Sequence, residues 1–212
     1  MKTHSTKQLR RNNRQATHSK NNTPSTKPAS KKGFYTQPVA HSSKTDEWAT
    51  PQATFNQLHA KHNFGLDVCA LQSSAKTEIW YGPDHVDPSM RDGLLQDWTS
   101  DAAGHAVWMN PPYGRTIGEW MHKAVAEADK GSTVVCLIPA RTDTAWFQDT
   151  VLRLQKEGRA EITFVRGRLK FGTAKNSAPF PSIIATLHPI GRTDLLVSSP
   201  SSGTVDTERG YQ

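Results

Sequence analysis

The stretch His105-Ala-Val-Trp-Met-Asn-Pro-Pro-Tyr-Gly-Arg-Thr116 sets the reading of the whole chain. Val107, Trp108 and Met109 have strand character, and they run directly into an asparagine, two prolines and a tyrosine. Two adjacent prolines remove two backbone donors and fix two φ angles near about −65°, so the strand must end there and leave in one stiff direction. Beyond the turn, Ile117, Trp120, Met121, Ala124, Val125 and Ala128 fall on one helical face, and Gly131 supplies a stop. A strand, a rigid polar corner and an amphipathic helix therefore follow one another here.

The flanks extend the same alternation over about residues 45–190. Thr50-Pro51 is an N-cap followed by a first-turn proline, opening a helix through "PQATFNQLHAKH". "FGLDVCA" and "TEIWYG" are short strands bounded by Gly65, Gly82 and Pro83. "TVVCLIP" is a continuous apolar run, as in a strand buried on both faces. A helix capped by Thr142 or Asp143 then presents Phe147, Val151 and Leu154 and ends at Gly158. "AEITFV" and "SIIATLHP" are the last strands, able to pair antiparallel. The expected fold is α/β: a mainly parallel sheet wound with helices and closed by an antiparallel strand. In such sheets ligands bind beyond the carboxyl ends of the strands, where the strand order reverses. Asp67 to Ala70 and Asn110 to Tyr113 both fall at such ends and are expected to share one crevice.

Charge is distributed unevenly. The net charge of +7 hides a split, because residues 1–44 carry ten Lys or Arg and no acid. The remaining 16 basic residues face 19 acidic ones, a net of −3. Residues 1–44 are polar and aperiodic and read as a disordered basic tail, either an arm for a polyanion or a solvated leader; 191–212 read as a flexible C-terminal tail. No signal-peptide core and no run of about 18 apolar residues is present, so a cytoplasmic protein without a membrane role is expected. Cys69 and Cys136 sit in apolar runs and read as reduced, buried thiols. His59 and His62 share a helical face but lack further ligands, so packing is favoured and no metal is expected.

The asparagine corner suggests a chemistry. Asn110 Oδ1 and the Pro111 carbonyl are two acceptors, and Pro112 adds no competing N–H. Such a corner suits an NH₂ group on a planar ligand, such as the exocyclic amine of adenine. Holding both hydrogens favours the pyramidal amine whose lone pair points outward, and Tyr113 offers a flat face for the base. The plainer alternative is an ordinary Asn-Pro turn with a packing tyrosine.

Taken in order, "EWATPQATFNQLHAKHNFGLDVCA", "DGLLQDW", "VWMNPPYG", "EWMHKA", "LIPARTDTAWF", "GRLKF" and "APFPSI" resemble the phage-type DNA N-6-adenine methyltransferases, the Dam-related family of phages and prophages. The resemblance covers roughly residues 46–188. It implies a Rossmann-like methyltransferase fold, S-adenosylmethionine as donor and adenine in double-stranded DNA as acceptor, with GATC as a family-level target. It also implies that Asn110, Pro111, Pro112 and Tyr113 form the catalytic motif. Trp48, Thr50 and Pro51 match the segment near the methionine end of the cofactor, and Asp67, Val68, Cys69 and Ala70 match a short form of the first cofactor motif. The glycine-rich turn of the wider methyltransferase pattern is missing after that strand. Asp84 is the candidate ribose ligand and Asp92 competes for the adenine end, though either carboxylate can equally cap a turn. Arg166, Arg168 and Lys170 alternate and would share one face toward DNA, with a solvated strand face as the alternative. No obligate protein partner is evident. The competing functions are a methyltransferase of RNA adenine or protein glutamine, and a catalytically silent DNA-binding module.

Overall fold

The computed structural model describes residues 49–172, 176–191 and 205–206. Trp48, the basic tail of residues 1–44 and, apart from residues 191 and 205–206, the C-terminal tail lie outside the described residues.

The strands are β1 Phe64–Asp67, β2 Ile79–Trp80, β3 Ala106–Met109, β4 Val134–Pro139, β5 Ala160–Arg166, β6 Ser182–Leu187 and a two-residue β7, Val205–Asp206. They lie in the order β2-β1-β3-β4-β6-β5-β7. Neighbours from β2 to β4 are parallel, and β6 is inserted antiparallel between β4 and β5. This is the mainly parallel α/β sheet with an antiparallel closing strand that the sequence predicts. From β1 the chain passes to β2 on one side and to β3 on the other. The order thus reverses between β1 and β3, where such sheets open a crevice at their carboxyl ends.

Helices cover both faces. The continuous apolar strands of the sequence are explained by this, since neither face meets water. Val107, Met109, Val134, Cys136 and Ile138 face a core built with α2 (Trp98–Asp101), α3 (Ile117–Lys130) and a helix over 145–156. Ala106, Trp108, Val135 and Leu137 face a second core closed by Phe55 and Leu58 of α1 (Gln52–His62) and by Leu169, Phe171 and Ala178. Alternate residues of one strand therefore serve opposite layers.

Several boundaries differ from expectation. The N-cap of α1 is Pro51, not Thr50, and no side chain caps it; the Thr50 hydroxyl is engaged elsewhere. The helix over 145–156 is capped at Thr144 rather than Thr142 or Asp143, and the Thr144 hydroxyl instead bonds the Arg141 carbonyl at 2.7 Å. Its middle, Gln148–Leu152, is a π turn. His59 does pack, stacking on Phe55 at 5.4 Å while its Nδ1 accepts from the Phe64 amide. Among the described residues no helix is long and apolar enough to cross a membrane.

Candidate active site

β1 and β3 are in register with Asp67 opposite Trp108, so the chain leaving β1 and the chain leaving β3 start side by side. The Val68 amide continues the pairing by donating to the Trp108 carbonyl at 3.1 Å. The segments Asp67–Ala70 and Asn110–Tyr113 thereby leave neighbouring strand ends side by side. The Asn110 amide reaches Cys69, where its hydrogen bond lowers the thiol pKa against the stronger effect of burial, which keeps it well above the usual value.

The corner itself is held by three oxygens. The Asn110 side-chain amide donates from Nδ2 to Thr50 Oγ1 at 3.1 Å, across 60 residues of sequence. Its Oδ1 accepts from the Tyr113 hydroxyl at 2.7 Å, and that hydroxyl also faces the Leu137 carbonyl at 3.1 Å. Thr50 is buried, as is Pro111. The Tyr113 ring meets Phe171 and Phe180 edge-on, with centroids 5.9 and 5.5 Å away. Burial holds the Tyr113 pKa well above its ordinary value, so the phenol remains a donor. An amide oxygen has two lone-pair directions, so Asn110 Oδ1 can accept from Tyr113 and still accept from a substrate amine.

Asp67 is buried, and among the described residues its carboxylate receives two backbone N–H groups, from Cys69 at 3.4 Å and Lys76 at 3.2 Å. Burial raises its pKa to about 7, against the lowering by those bonds and by the Lys76 charge. Such an underserved carboxylate at the end of β1 is a fitting acceptor for a cationic or hydroxyl-bearing cofactor. The residues present therefore fit a methyl donor of that chemistry.

The chain after β1 needs no glycine of its own because its neighbours supply them. A Cβ on Gly82 would stand 1.7 Å from the Ala70 carbonyl oxygen, and one on Gly93 would stand 2.2 Å from that of Val68. The close approach that a glycine-rich turn provides in other sheets is here made from outside. Asp92 accepts from the Leu94 amide at 3.0 Å and caps the short turn Gly93–Leu95, while the Trp98 indole N–H donates to the Gly93 carbonyl at 2.6 Å. Asp84 is exposed and both its oxygens accept from the Gln72 amide at 3.2 Å. Both carboxylates thus already accept a backbone N–H, Asp92 as a local cap and Asp84 from twelve residues away.

Arg166, Arg168 and Lys170 are all exposed, while Leu169 and Phe171 between and after them are buried. The alternation is interrupted at Gly167, which is exposed at a bend with a φ of +75°, and resumes from Arg168, where Leu169 and Phe171 turn inward behind Tyr113. Two further cations lie in loops that leave the same end of the sheet, Arg115 after β3 and Arg141 after β4, both exposed. Sequence reading passed over them because neither belongs to a charge pattern. Their position after parallel strands is the signal that would have found them.

A model of the family described as DNA N-6-adenine-methyltransferase (Dam) matches residues 38–186. A DNA N-6-adenine-methyltransferase of Haemophilus phage HP1 (strain HP1c1) is 29% identical over 143 residues, covering 65% of this chain and 76% of the relative. One of Escherichia phage T1 is 26% identical over 125 residues, covering 58% of this chain but only 46% of that relative. Among solved structures, a predicted O-methyltransferase from Agrobacterium tumefaciens aligns with 69% of this chain and 78% of its own, at 14% identity and a TM-score of 0.30.

Proposed function

This chain belongs to the DNA N-6-adenine-methyltransferase (Dam) family, and from that premise we propose that it moves a methyl group from S-adenosylmethionine to the exocyclic amine of an adenine flipped out of double-stranded DNA. The observation that carries the reading is the Asn110 corner beside Asp67, at the point where the strand order reverses.

When bound, the donor supplies an electrophilic methyl on a sulfonium. The protein's part is positioning. Asn110 Oδ1 and the Pro111 carbonyl accept the two amine hydrogens, which turns the nitrogen lone pair out of conjugation and toward the methyl. The amine nitrogen gains the methyl as the methyl–sulfur bond breaks with its electron pair left on sulfur, and the proton the methylated amine must shed passes to solvent, since neither amide oxygen is basic enough to keep it. Pro111 and Pro112 keep the two acceptors at a fixed separation, and the Tyr113 ring meets the base. Asp67, with Val68 to Ala70, would hold the donor's polar end, and Thr50 and Pro51, preceded by Trp48, would border its methionine part. Asp84 would serve the ribose and Asp92 the adenine end, each beside the backbone N–H it already accepts.

Flipping an adenine requires a few kcal/mol, which contacts to the DNA backbone offset. Arg166, Arg168 and Lys170 are the proposed contacts, and the ten cations of residues 1–44 add affinity that is independent of sequence. GATC is the first target to examine. The test is transfer from labelled S-adenosylmethionine to DNA, RNA and protein offered separately. Label in DNA adenine is the expected result; label only in RNA or protein, or none with a chain that fails to bind the donor, overturns the reading.

A further inference from the structure

Thr50 lies 60 residues from Asn110 in sequence, yet its hydroxyl is the group that receives the Asn110 Nδ2 hydrogen, at 3.1 Å. On the other side of the same amide, the Tyr113 hydroxyl donates to Oδ1 at 2.7 Å. A side-chain amide is nearly symmetric in shape, and rotating it by a half turn exchanges an acceptor for a donor. An asparagine that turned its NH₂ toward a substrate amine would set donor against donor and hold nothing. A hydroxyl can donate or accept, so it is the pair of observed bonds, Thr50 Oγ1 accepting from Nδ2 and Tyr113 donating to Oδ1, that together hold the amide in this orientation.

We infer that Thr50 and the Tyr113 hydroxyl are positioning residues that clamp the Asn110 amide with Oδ1 as the acceptor offered to the substrate amine. The inference rests on the adenine-amine reading above. Thr50 is suited to the part. It is buried at the entrance to α1, where Pro51 fixes the backbone, and the neighbouring Ala49 carbonyl accepts from the Gly172 amide at 2.8 Å. Accepting from Nδ2 also draws electron density through the amide toward Oδ1, strengthening it as an acceptor. Tyr113 acts from the other end: its hydroxyl lies between Asn110 Oδ1 and the Leu137 carbonyl, so β4 as well as β3 fixes the corner. Neither hydroxyl has to touch the substrate for this to work.

The experiment compares wild type, T50V, T50S and Y113F in single-turnover transfer from labelled S-adenosylmethionine to unmethylated DNA, with donor and DNA affinities measured on each. T50V keeps the shape of the side chain and removes the acceptor; its transfer step should slow by about tenfold to a hundredfold, with DNA affinity within about threefold and any loss of donor affinity much smaller than the loss in the transfer step. T50S, which restores the hydroxyl, should return the step to within about threefold of wild type. Y113F, which keeps the ring, should slow the step by about tenfold as well. An unchanged rate in Y113F overturns the clamp whether or not T50V folds. So does a T50V rate equal to wild type, or a T50V loss matched by an equal loss of donor affinity, which would make Thr50 a donor contact instead. Wild type that transfers nothing to DNA would overturn the adenine reading and the clamp with it, whereas an active wild type with unaffected variants overturns the clamp alone.

Discussion

The hydroxyl of Tyr113 donates to the side-chain oxygen of Asn110, three residues before it, at 2.7 Å. The two residues therefore work as one unit. The prolines between them keep the chain from relaxing, and the phenol, kept protonated by burial, bonds into the corner while its ring sits edge-on to Phe171 and Phe180. A rigid strand end thus becomes a device for holding an amide at a fixed angle.

Asp67 gives this unit a pH dependence. Its folded pKa, raised to about 7 by burial, lies above the ordinary carboxylate value of 3.8. The folded state therefore binds more protons than the unfolded one between those values, and stability falls as pH rises through that window. Donor binding should run the opposite way, because ionised Asp67 attracts a sulfonium. Affinity for S-adenosylmethionine should tighten by roughly tenfold between about pH 6 and 8 and level off above. D67N should bind weakly at all pH values and remove the inflection in a calorimetric titration series. An unchanged inflection in D67N would show that another group titrates.

Glu127 is a structural counterpart. It is fully buried in α3, where burial would raise its pKa, but hydrogen bonds from Lys123, Lys130 and Thr99 outweigh that and hold it down to about 2. A depressed carboxylate stabilises the fold above its unfolded value of 4.5, and that contribution is lost as pH falls toward 2. E127Q should therefore unfold with roughly 3 kcal/mol less stability at neutral pH, the deficit vanishing in acid. Paired thermal melts from pH 3 to pH 7 measure it, and a deficit that does not shrink would contradict the assignment.

Gly82 tests the packing that replaces a glycine-rich turn. With a Cβ 1.7 Å from the Ala70 carbonyl oxygen, G82A must displace backbone at the end of β1. It should lose about 3 kcal/mol or more of stability and bind donor poorly even where folded. G131A, whose Cβ would meet nothing within 4 Å but whose φ is +125°, should be milder in its effect on donor binding. Equal donor affinity in G82A and wild type would refute the close-approach argument.

Arg168 tests the DNA face. R168A should weaken binding and lower the slope of log affinity against log salt by about 0.9 for the phosphate contact removed, leaving donor affinity unchanged. A slope identical to wild type would assign Arg168 to the solvated face of its segment. The same titration on R141A and R115A asks whether the cations after β4 and β3 join the interface.

Strands β1 to β6, all three long helices and the antiparallel closure were legible because apolar periodicity and proline or glycine stops are local signals, whereas the short β7 fell in a stretch read as a flexible tail. The neighbouring ends of β1 and β3 were legible too, since parallel strands deliver their ends to one side. Other features depend on contacts distant in sequence. Thr50-Pro51 looks like an N-cap by its residue types, yet the hydroxyl is drawn away by Asn110. "DGLLQDW" reads as a possible ligand motif, but its aspartate caps a turn, its glycine fits under Val68, and its tryptophan bonds back to that glycine. The turns Pro88–Met90 and Gly93–Leu95 and the helix Trp98–Asp101 are too short to carry periodicity, so composition alone could not announce them. Asp84 and Asp92 were ambiguous for the same reason: a carboxylate that caps and one that awaits a ligand look alike in sequence.

The most direct test of the account is to express the chain in a host lacking adenine methylation and to map modified bases in the host DNA, beside N110A expressed at the same level. The account predicts N6-methyladenine at one recurring sequence with wild type and a loss of at least about a hundredfold with N110A. Absence of methyladenine with wild type, or its persistence with N110A, would contradict it.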